Sequence, residues 1–420
     1  MRRTWDLAVV GAGYVGLPLA QTFAEAGQKV LLVEVVPELV ESINAGRSHI
    51  EDVPSAQLEP LISTGRIAAT LDYEQLKHTD AILIALPTPL TPQREPDLGY
   101  VTAATHSIGA VLQPGQLVVL ESTTYPGTTR EVVKPILEES SGLEAGKDFH
   151  LAMSPERVDP GRTDWTTKTT PKVVGGLTPA CTAAAAALYR KAIDTVLELS
   201  APESAELTKL LENIYRSVNI ALVNELAQLC DRMGIDVWEV VEAAATKPFG
   251  FQSFQPGPGL GGHCIPLDPY YLSWKAREYD FSARFIELAG EVNNNMPYFC
   301  RSVISQALNH GAQRSVSGSR ILIVGVAYKA DIGDVRETPA EKLVQLLRTA
   351  GADVSYHDPH VPEFGGMRSA ELDPEAYDCV AIVTAHSAID YPELVRRAKV
   401  VVDFRNATRG HEVEGKVWKL

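Results

Sequence analysis

The sequence predicts an α/β protein: two Rossmann-like, doubly wound parallel-sheet domains joined by a central helical domain with one long helix. Three observations predict it. Short apolar runs alternate with helical stretches through residues 1–200. A segment of about thirty residues from Ser204 to Gly234 has helical periodicity, no Pro and no interior Gly. The alternating pattern then restarts after Val316-Ser-Gly-Ser319. Such βαβ alternation belongs to parallel sheets covered on both faces by helices.

Taken in order, Asp6–Val10, Lys29–Val35, Ala81–Leu86 and Gln116–Leu120 are strand-sized apolar runs bounded by turn residues, with further strands at His150–Met153 and Lys172–Val174. Their apolar density suits strands buried on both faces. From Ser204 to Gly234, apolar side chains recur from Leu207 through Leu229 at helical spacing. Ser204 is the expected N-cap, Glu206 stands in the first turn, and Gly234 is the expected stop. The apolar stripe of such a helix suits either a domain spine or a partner subunit. Arg320–Val324, Asp353–Tyr356, Cys379–Val383 and Val400–Asp403 read as four parallel strands of the last domain. The expected domains are therefore residues 1–200, 201–315 and 316–420.

Composition narrows the class. Apolar residues make up 45% and charged residues 22%, ordinary values for a globular enzyme. No apolar run approaches the roughly 18 residues that span a bilayer, and no secretory signal pattern follows Met1, so the expectation is a cytoplasmic protein without a membrane partner. A net charge of −15 argues against nucleic acid as a partner. The five cysteines show no CxxC spacing, which suggests neither a disulfide framework nor a metal site.

The first chemical signal is Gly11-Ala12-Gly13-Tyr14-Val15-Gly16, directly after a strand and opening a helix. In this context Gly11 makes the tight turn, Gly13 admits a pyrophosphate and Gly16 lets helix and strand pack closely. Glu34 lies 18 residues beyond Gly16, at the end of the second strand. A carboxylate there accepts from ribose hydroxyls and repels a 2′-phosphate, so NAD is the expected cofactor. The second signal is Gly257-Pro-Gly259-Leu-Gly261-Gly262, followed at once by His263 and Cys264, with Asp268 four residues on. A loop this rich in Gly lets backbone approach a ligand, and a thiol upon it is placed for chemistry.

The Gly257–Asp268 segment resembles the active-site motif of the UDP-glucose/GDP-mannose dehydrogenase family. The resemblance extends over six further segments in order: the Gly11–Gly16 turn, Leu86–Val101, Glu121–Thr129, Ser154–Gly161, Lys209–Cys230 and Gly325–Ala340. It implies oxidation of the C6 alcohol of a UDP-sugar to a carboxylate, using two NAD in turn. Cys264 would carry a thiohemiacetal and then a thioester. Lys209 would stabilise the oxyanions with Asn213, one helical turn on, and Asp268 would serve as base. Thr123 and Glu156 would position the hydrolytic water. Tyr14, Val15, Thr88 and Thr123 match cofactor-contacting positions. Arg157, Gly250, Phe254, Gly261, Lys329 and Arg336 match the substrate side, together with Glu156, Lys209 and Asn213. The family further suggests a homodimer or larger assembly. A position where UDP-glucose members carry a second Glu is Pro160 here, beside Asp159.

His263, Leu267 and the Tyr270-Tyr271 pair resemble members acting on 2-acetamido sugars, with UDP-N-acetylglucosamine the first expectation and UDP-N-acetylmannosamine or UDP-glucose the alternatives. Two rival readings remain at this level: a hydroxyacid or 6-phosphogluconate dehydrogenase, which needs no cysteine loop, and a non-catalytic nucleotide-sugar-binding protein, which needs no Cys264, Lys209, Asn213 and Asp268.

Overall fold

The computed structural model describes residues 4–158, 164–262 and 264–420. His263 and the Asp159–Pro160 departure lie outside them. By contacts the chain divides into two compact units, residues 1–212 with 270–281, and residues 213–269 with 282–420.

The first unit is built on strands β1 (Trp5–Val10), β2 (Val30–Val33), β3 (Ile67–Thr70), β4 (Thr79–Ile84), β5 (Leu117–Leu120), β6 (His150–Met153), β7 (Lys172–Gly176) and β8 (Val196–Leu199). They form one sheet in the order β3-β2-β1-β4-β5-β6-β7-β8. Leu7 and Val9 bury into one face and Ala8 and Val10 into the other. Both faces are apolar because helices cover both. They are α1 (Gly16–Glu25), α2 (Pro37–Asn44), α3 (Ser55–Ser63), α4 (Gly99–Gly109), α5 (Lys134–Ser141) and α6 (Pro179–Tyr189). Strand order reverses between β1 and β4, the place where doubly wound sheets bind ligands. The expected all-parallel sheet needs one correction: β6 and β7 pair antiparallel, through Ala152 with Gly176 and Met153 with Gly175.

Helix α7 (Pro202–Met233) begins three residues before Ala205, the first helical position that a Ser204 cap implies. Ser204 is therefore inside the first turn and is not the N-cap. Pro202 opens the helix because its fixed φ suits a first turn whose N–H would go unpaired anyway. Gly234, at φ +67°, ends it as expected. Helices α8 (Val237–Ala245), α9 (Asp268–Ala276) and α10 (Arg284–Ala307) follow.

The second unit carries a five-stranded parallel sheet, ordered β10-β9-β13-β14-β15. Its strands are β9 (Arg320–Val324), β10 (Asp353–His357), β13 (Cys379–Ile382), β14 (Val401–Asp403) and β15 (Val417–Lys419), with a small hairpin of β11 (Glu363–Phe364) and β12 (Met367–Arg368). Ile321 and Ile323 pack into a core shared with α10 and α11 (Pro339–Thr349). Leu322 and Val324 pack into a separate core beneath α12 (Tyr391–Arg397). Among the described residues, no helix is long and apolar enough to cross a membrane.

Candidate active site

In the first unit the β1–α1 turn is a cradle whose three glycines have three different environments. Gly11 sits at φ +99°, and a Cβ there would overlap the Ala85 carbonyl oxygen at the end of β4. A Cβ at Gly16 would overlap the Gly11 carbonyl. Gly13 meets nothing within 4 Å. Two glycines thus serve the fold, and the third leaves open space at the N-terminus of α1, where backbone N–H groups and the helix dipole favour a phosphate. Tyr14 is exposed beside that space, and Val15 packs on the core. Glu34 stands at the end of β2. Its Oε2 accepts from Ala12 N at 3.0 Å and its Oε1 from Val35 N at 2.8 Å. The carboxylate is held beside the turn and stays partly exposed, as a group that accepts from ribose hydroxyls must. These residues fit NAD.

The loops after β4 and β5 are tied together. Leu86 N donates to Ser122 Oγ at 2.9 Å, and Thr88 Oγ1 donates to the Thr123 carbonyl at 2.7 Å. Glu206 of α7 anchors the far end, accepting from Gly127 N at 2.6 Å, Thr129 N at 2.8 Å and Thr129 Oγ1 at 2.7 Å. Burial pushes the Glu206 carboxyl up to about 7 against the pull of these donors. Tyr270 and Tyr271 tie the loop after β4 to α9. Tyr271 is fully buried and its hydroxyl donates to the Thr88 carbonyl, while Arg94 donates to Tyr270 Oη at 2.6 Å and lies 4.6 Å over its ring.

Glu156 follows β6. Its Oε1 accepts from the N–H groups of Arg157 and Val158 at 2.7 and 2.8 Å. Its Oε2 faces Lys172 Nζ at 3.3 Å. The Arg157 guanidinium donates to the Pro171 carbonyl at 2.6 Å and pairs with Glu212 at 2.6 Å, so Arg157 braces this loop. Lys209, on α7, is buried.

In the second unit the thiol loop is held by backbone and amide groups. Gly257 N donates to Asn224 Oδ1 at 2.9 Å; Asn224 Nδ2 donates to Asn293 Oδ1 at 2.9 Å; Asn293 Nδ2 donates to the Ser217 carbonyl at 3.1 Å. Gly262 N donates to the Arg336 carbonyl at 3.1 Å. A Cβ on Gly261 would strike the Tyr328 side chain at 2.6 Å. Cys264 is half-buried. Its carbonyl accepts from Asp268 N at 2.8 Å, where α9 begins. The Asp268 carboxylate accepts from Asn213 Nδ2, both side chains being buried, and Arg216 donates to Asn213 Oδ1. Phe254 meets Tyr215 edge to face at 5.8 Å, and Gly250 is exposed at φ +69°. Asn224, Asn293 and Arg405, whose guanidinium lies against Gly257, are residues that sequence reasoning missed. Their signal is partnership over long sequence distance, which no single segment displays.

The loop from β9 to α11 carries Lys329 and an exposed Arg336, whose Nε and a terminal nitrogen grip Asp334 at 3.0 and 2.7 Å. Asp331 at φ +61° and Glu337 at φ +51° occupy backbone conformations unusual outside glycine. His386 holds the first: its Nδ1 accepts from Asp331 N at 3.0 Å, which leaves its Nε2 to donate to Asp358 at 3.0 Å. Asp331, His360 and His386 bring possible ligand atoms within 4.8 Å of one another. Both nitrogens of the His386 ring are already engaged in holding this loop.

The comparisons with known proteins agree with this architecture. Family models for the UDP-glucose/GDP-mannose dehydrogenases match in three consecutive parts: the NAD binding domain over residues 5–193, the central domain over 203–295 and the UDP binding domain over 322–410. A UDP-N-acetyl-D-mannosamine dehydrogenase of Pyrococcus horikoshii is 36% identical over 95% of both chains. A UDP-N-acetyl-D-glucosamine 6-dehydrogenase of Pseudomonas aeruginosa is 35% identical over 91% of this chain and 90% of its own. The solved structure of the UDP-D-ManNAc dehydrogenase from Pyrococcus horikoshii superposes with a TM-score of 0.91, covering 100% of this chain and 99% of that one at 34% identity. With a cradle that fits NAD in the first unit and a thiol loop in the second, the chain belongs to the UDP-glucose/GDP-mannose dehydrogenase family and is an NAD-dependent UDP-sugar dehydrogenase.

Proposed function

We propose that the chain carries out the four-electron oxidation of C6 of a 2-acetamido UDP-sugar, with UDP-N-acetylglucosamine as the substrate, through a thioester on Cys264. The observation that carries the reading is the thiol loop: Cys264 lies on a glycine-rich turn whose backbone runs into Asp268, the Cys264 carbonyl accepting from Asp268 N, and the Asp268 carboxylate is buried against Asn213. NAD, when bound, accepts a hydride at each of two oxidations. The residues do the rest. Asp268 takes the alcohol proton as the C6 aldehyde forms. The Cys264 thiolate adds to the aldehyde carbon, and Lys209 and Asn213 stabilise the resulting oxyanion. Loss of the remaining C6 hydride and the hydroxyl proton leaves the thioester. Water, oriented by Thr123 and Glu156, attacks the acyl carbon; the C–S bond breaks and the thiolate returns. One alcohol and one water become one carboxylate, with two hydrides and three protons released. Gly250, Phe254, Gly261, Lys329 and Arg336 serve the nucleotide sugar. Residues 1–200, 201–315 and 316–420 act as cofactor, central and nucleotide-sugar domains.

UDP-N-acetylmannosamine is the second reading, favoured by the name of the Pyrococcus relative. Tyr271 donates its hydroxyl to the Thr88 carbonyl and Tyr270 accepts from Arg94, which sets the pair against the loop after β4. Side-by-side NADH formation at 340 nm with both sugars and UDP-glucose decides the substrate; a higher kcat/KM for either competitor overturns the first choice. Cys264→Ala is expected to abolish uronate formation while NAD and UDP-sugar still bind by calorimetry, and full activity in that variant excludes the thioester route. Leu207, Leu211, Leu222, Leu226, Leu229 and Met233 stand exposed along one face of α7. A second copy of the chain is the natural cover, since one continuous stripe can serve both sides of a twofold interface. Sedimentation equilibrium is expected to give a dimer that Leu211→Glu with Leu222→Glu converts to monomer; a monomeric unmodified protein removes this assembly.

A further inference from the structure

The first unit contains a buried ionic cluster that joins Glu156 to Lys172 and Glu121, neither of which has an assigned role. Lys172 opens β7 with its side chain 3% exposed. Its ammonium lies 2.7 Å from Glu121 Oε2 at the end of β5 and 3.3 Å from Glu156 Oε2. Glu121 is wholly buried, and its other oxygen accepts from the Tyr189 hydroxyl at the end of α6. The Lys172 ammonium also lies 5.4 Å over the Tyr189 ring. Glu156 is 15% exposed, the one carboxylate of the three-residue cluster with an outlet.

Two carboxylates share one ammonium in a space of low dielectric. Ionising both leaves a net buried negative charge, which is costly, so one carboxyl takes the proton more readily. The surroundings decide which. Glu156 has two backbone N–H donors, the Lys172 charge and the more distant Lys209 charge of α7. Arg157 beside it is neutralised by Glu212. Glu121 has no outlet, and its two oxygens face the Lys172 ammonium and the Tyr189 hydroxyl. Burial pushes Glu121 up to about 7 despite Lys172, whereas Glu156, though burial alone would raise it, is drawn below the ordinary carboxylate range by Lys172 and its amide donors.

We propose that Lys172 is a positioning residue for thioester hydrolysis: anchored in the sheet by Glu121, its ammonium aims the Glu156 carboxylate and keeps it ionised. The proposal rests on the reading of Glu156 as the group that orients and deprotonates water. In that step Glu156 takes a proton from water, the water oxygen bonds to the acyl carbon, and the electron pair of the C–S bond leaves with Cys264. Only the ionised carboxylate can do this. The divergent environments of Glu121 and Glu156 are the arrangement by which neighbouring carboxyls divide acid and base roles.

The test is the decay of the covalent sugar adduct on Cys264, followed by intact mass after acid quench across pH 5 to 9. Lys172→Met is expected to slow decay at least tenfold at neutral pH and to move the acid limb of its pH profile up by about one to three units. Lys172→Arg keeps the charge and should retain most of the rate. Because Lys172→Met leaves two buried carboxyls without a cation, Lys172→Met with Glu121→Gln is the matched variant, removing the ammonium together with the carboxyl that anchors it. A role confined to balancing core charge predicts normal decay and a normal profile in the double variant, and that result overturns the proposal; a retained shift supports it. Glu156→Gln separates the two levels. If it does not slow decay, the reading of Glu156 fails. If it slows decay while the Lys172 variants do not, only the role of Lys172 fails.

Discussion

The two α/β sheets use one device for opposite ends. In both, the first strand ends in a glycine at positive φ tucked under a neighbouring strand's carbonyl: Gly11 under Ala85 and Gly325 under Thr384. In both, a carboxylate at the end of the second strand grips the turn that follows. Glu34 accepts from Ala12 N; Asp358 accepts from Val326 N at 2.7 Å and Ala327 N at 3.1 Å. The difference lies in what else reaches the carboxylate. Asp358 is sealed, its side chain wholly buried against the equally buried His386. Glu34 stays partly open, and the turn it holds runs straight into α1. The same strand-end acid is thus spent on structure in one sheet and left for a ligand in the other. Shared topology does not tell the two apart; the partners of the carboxylate do.

Glycine substitutions break the comparison most sharply. Gly16→Ala places a methyl on the Gly11 carbonyl and is expected to cost well over 3 kcal/mol or prevent folding, read by urea unfolding. Gly13→Ala meets no atom of the protein, so its unfolding midpoint should stay within error while the NAD dissociation constant rises at least tenfold in calorimetry. Equal stability losses in the two variants would show that Gly13 also serves the fold.

Truncating the two carboxylates sharpens it. Asp358→Ala strands Val326 N, Ala327 N and the His386 ring N–H inside the second unit and should cost about 3 kcal/mol, since each unmade buried bond costs about 1–3 kcal/mol before relaxation. Glu34→Ala removes a half-exposed group and should cost under about 1 kcal/mol. Its effect falls on cofactor choice, narrowing the preference for NAD over NADP roughly tenfold in kcat/KM ratios by removing repulsion of the 2′-phosphate. A Glu34 variant that loses stability without changing cofactor preference would make the two acids equivalent.

Central strands were legible in the sequence because they are buried on both faces, so Leu7–Val10 and Ile321–Val324 read as unbroken apolar runs. The edges were not. β3 alternates buried and half-buried residues, β8 is largely exposed along its middle, and the terminal β15 is only half-buried. The β6–β7 reversal was hidden as well, because a strand's direction is fixed by its neighbours. Motif residues were legible where the chain itself clusters them, as at Gly11–Gly16 and Gly257–Asp268. Lys172 was not, for it looks like an ordinary lysine at a strand start. Its partners lie 51 and 16 residues away and meet it only in the folded sheet.

The five cysteines acquire a consequence from their places in the fold. Cys181, Cys300 and Cys379 are buried, and burial raises the thiols of Cys300 and Cys379 far above their ordinary range. Cys230 and Cys264 are half-exposed. An alkylating agent or peroxide in water therefore meets two sulfur atoms of the five, one of them on the glycine-rich loop. The hydrophobic core acts as a protecting group in the synthetic chemist's sense: it masks three equivalent functional groups so that reagents are directed to the remaining two.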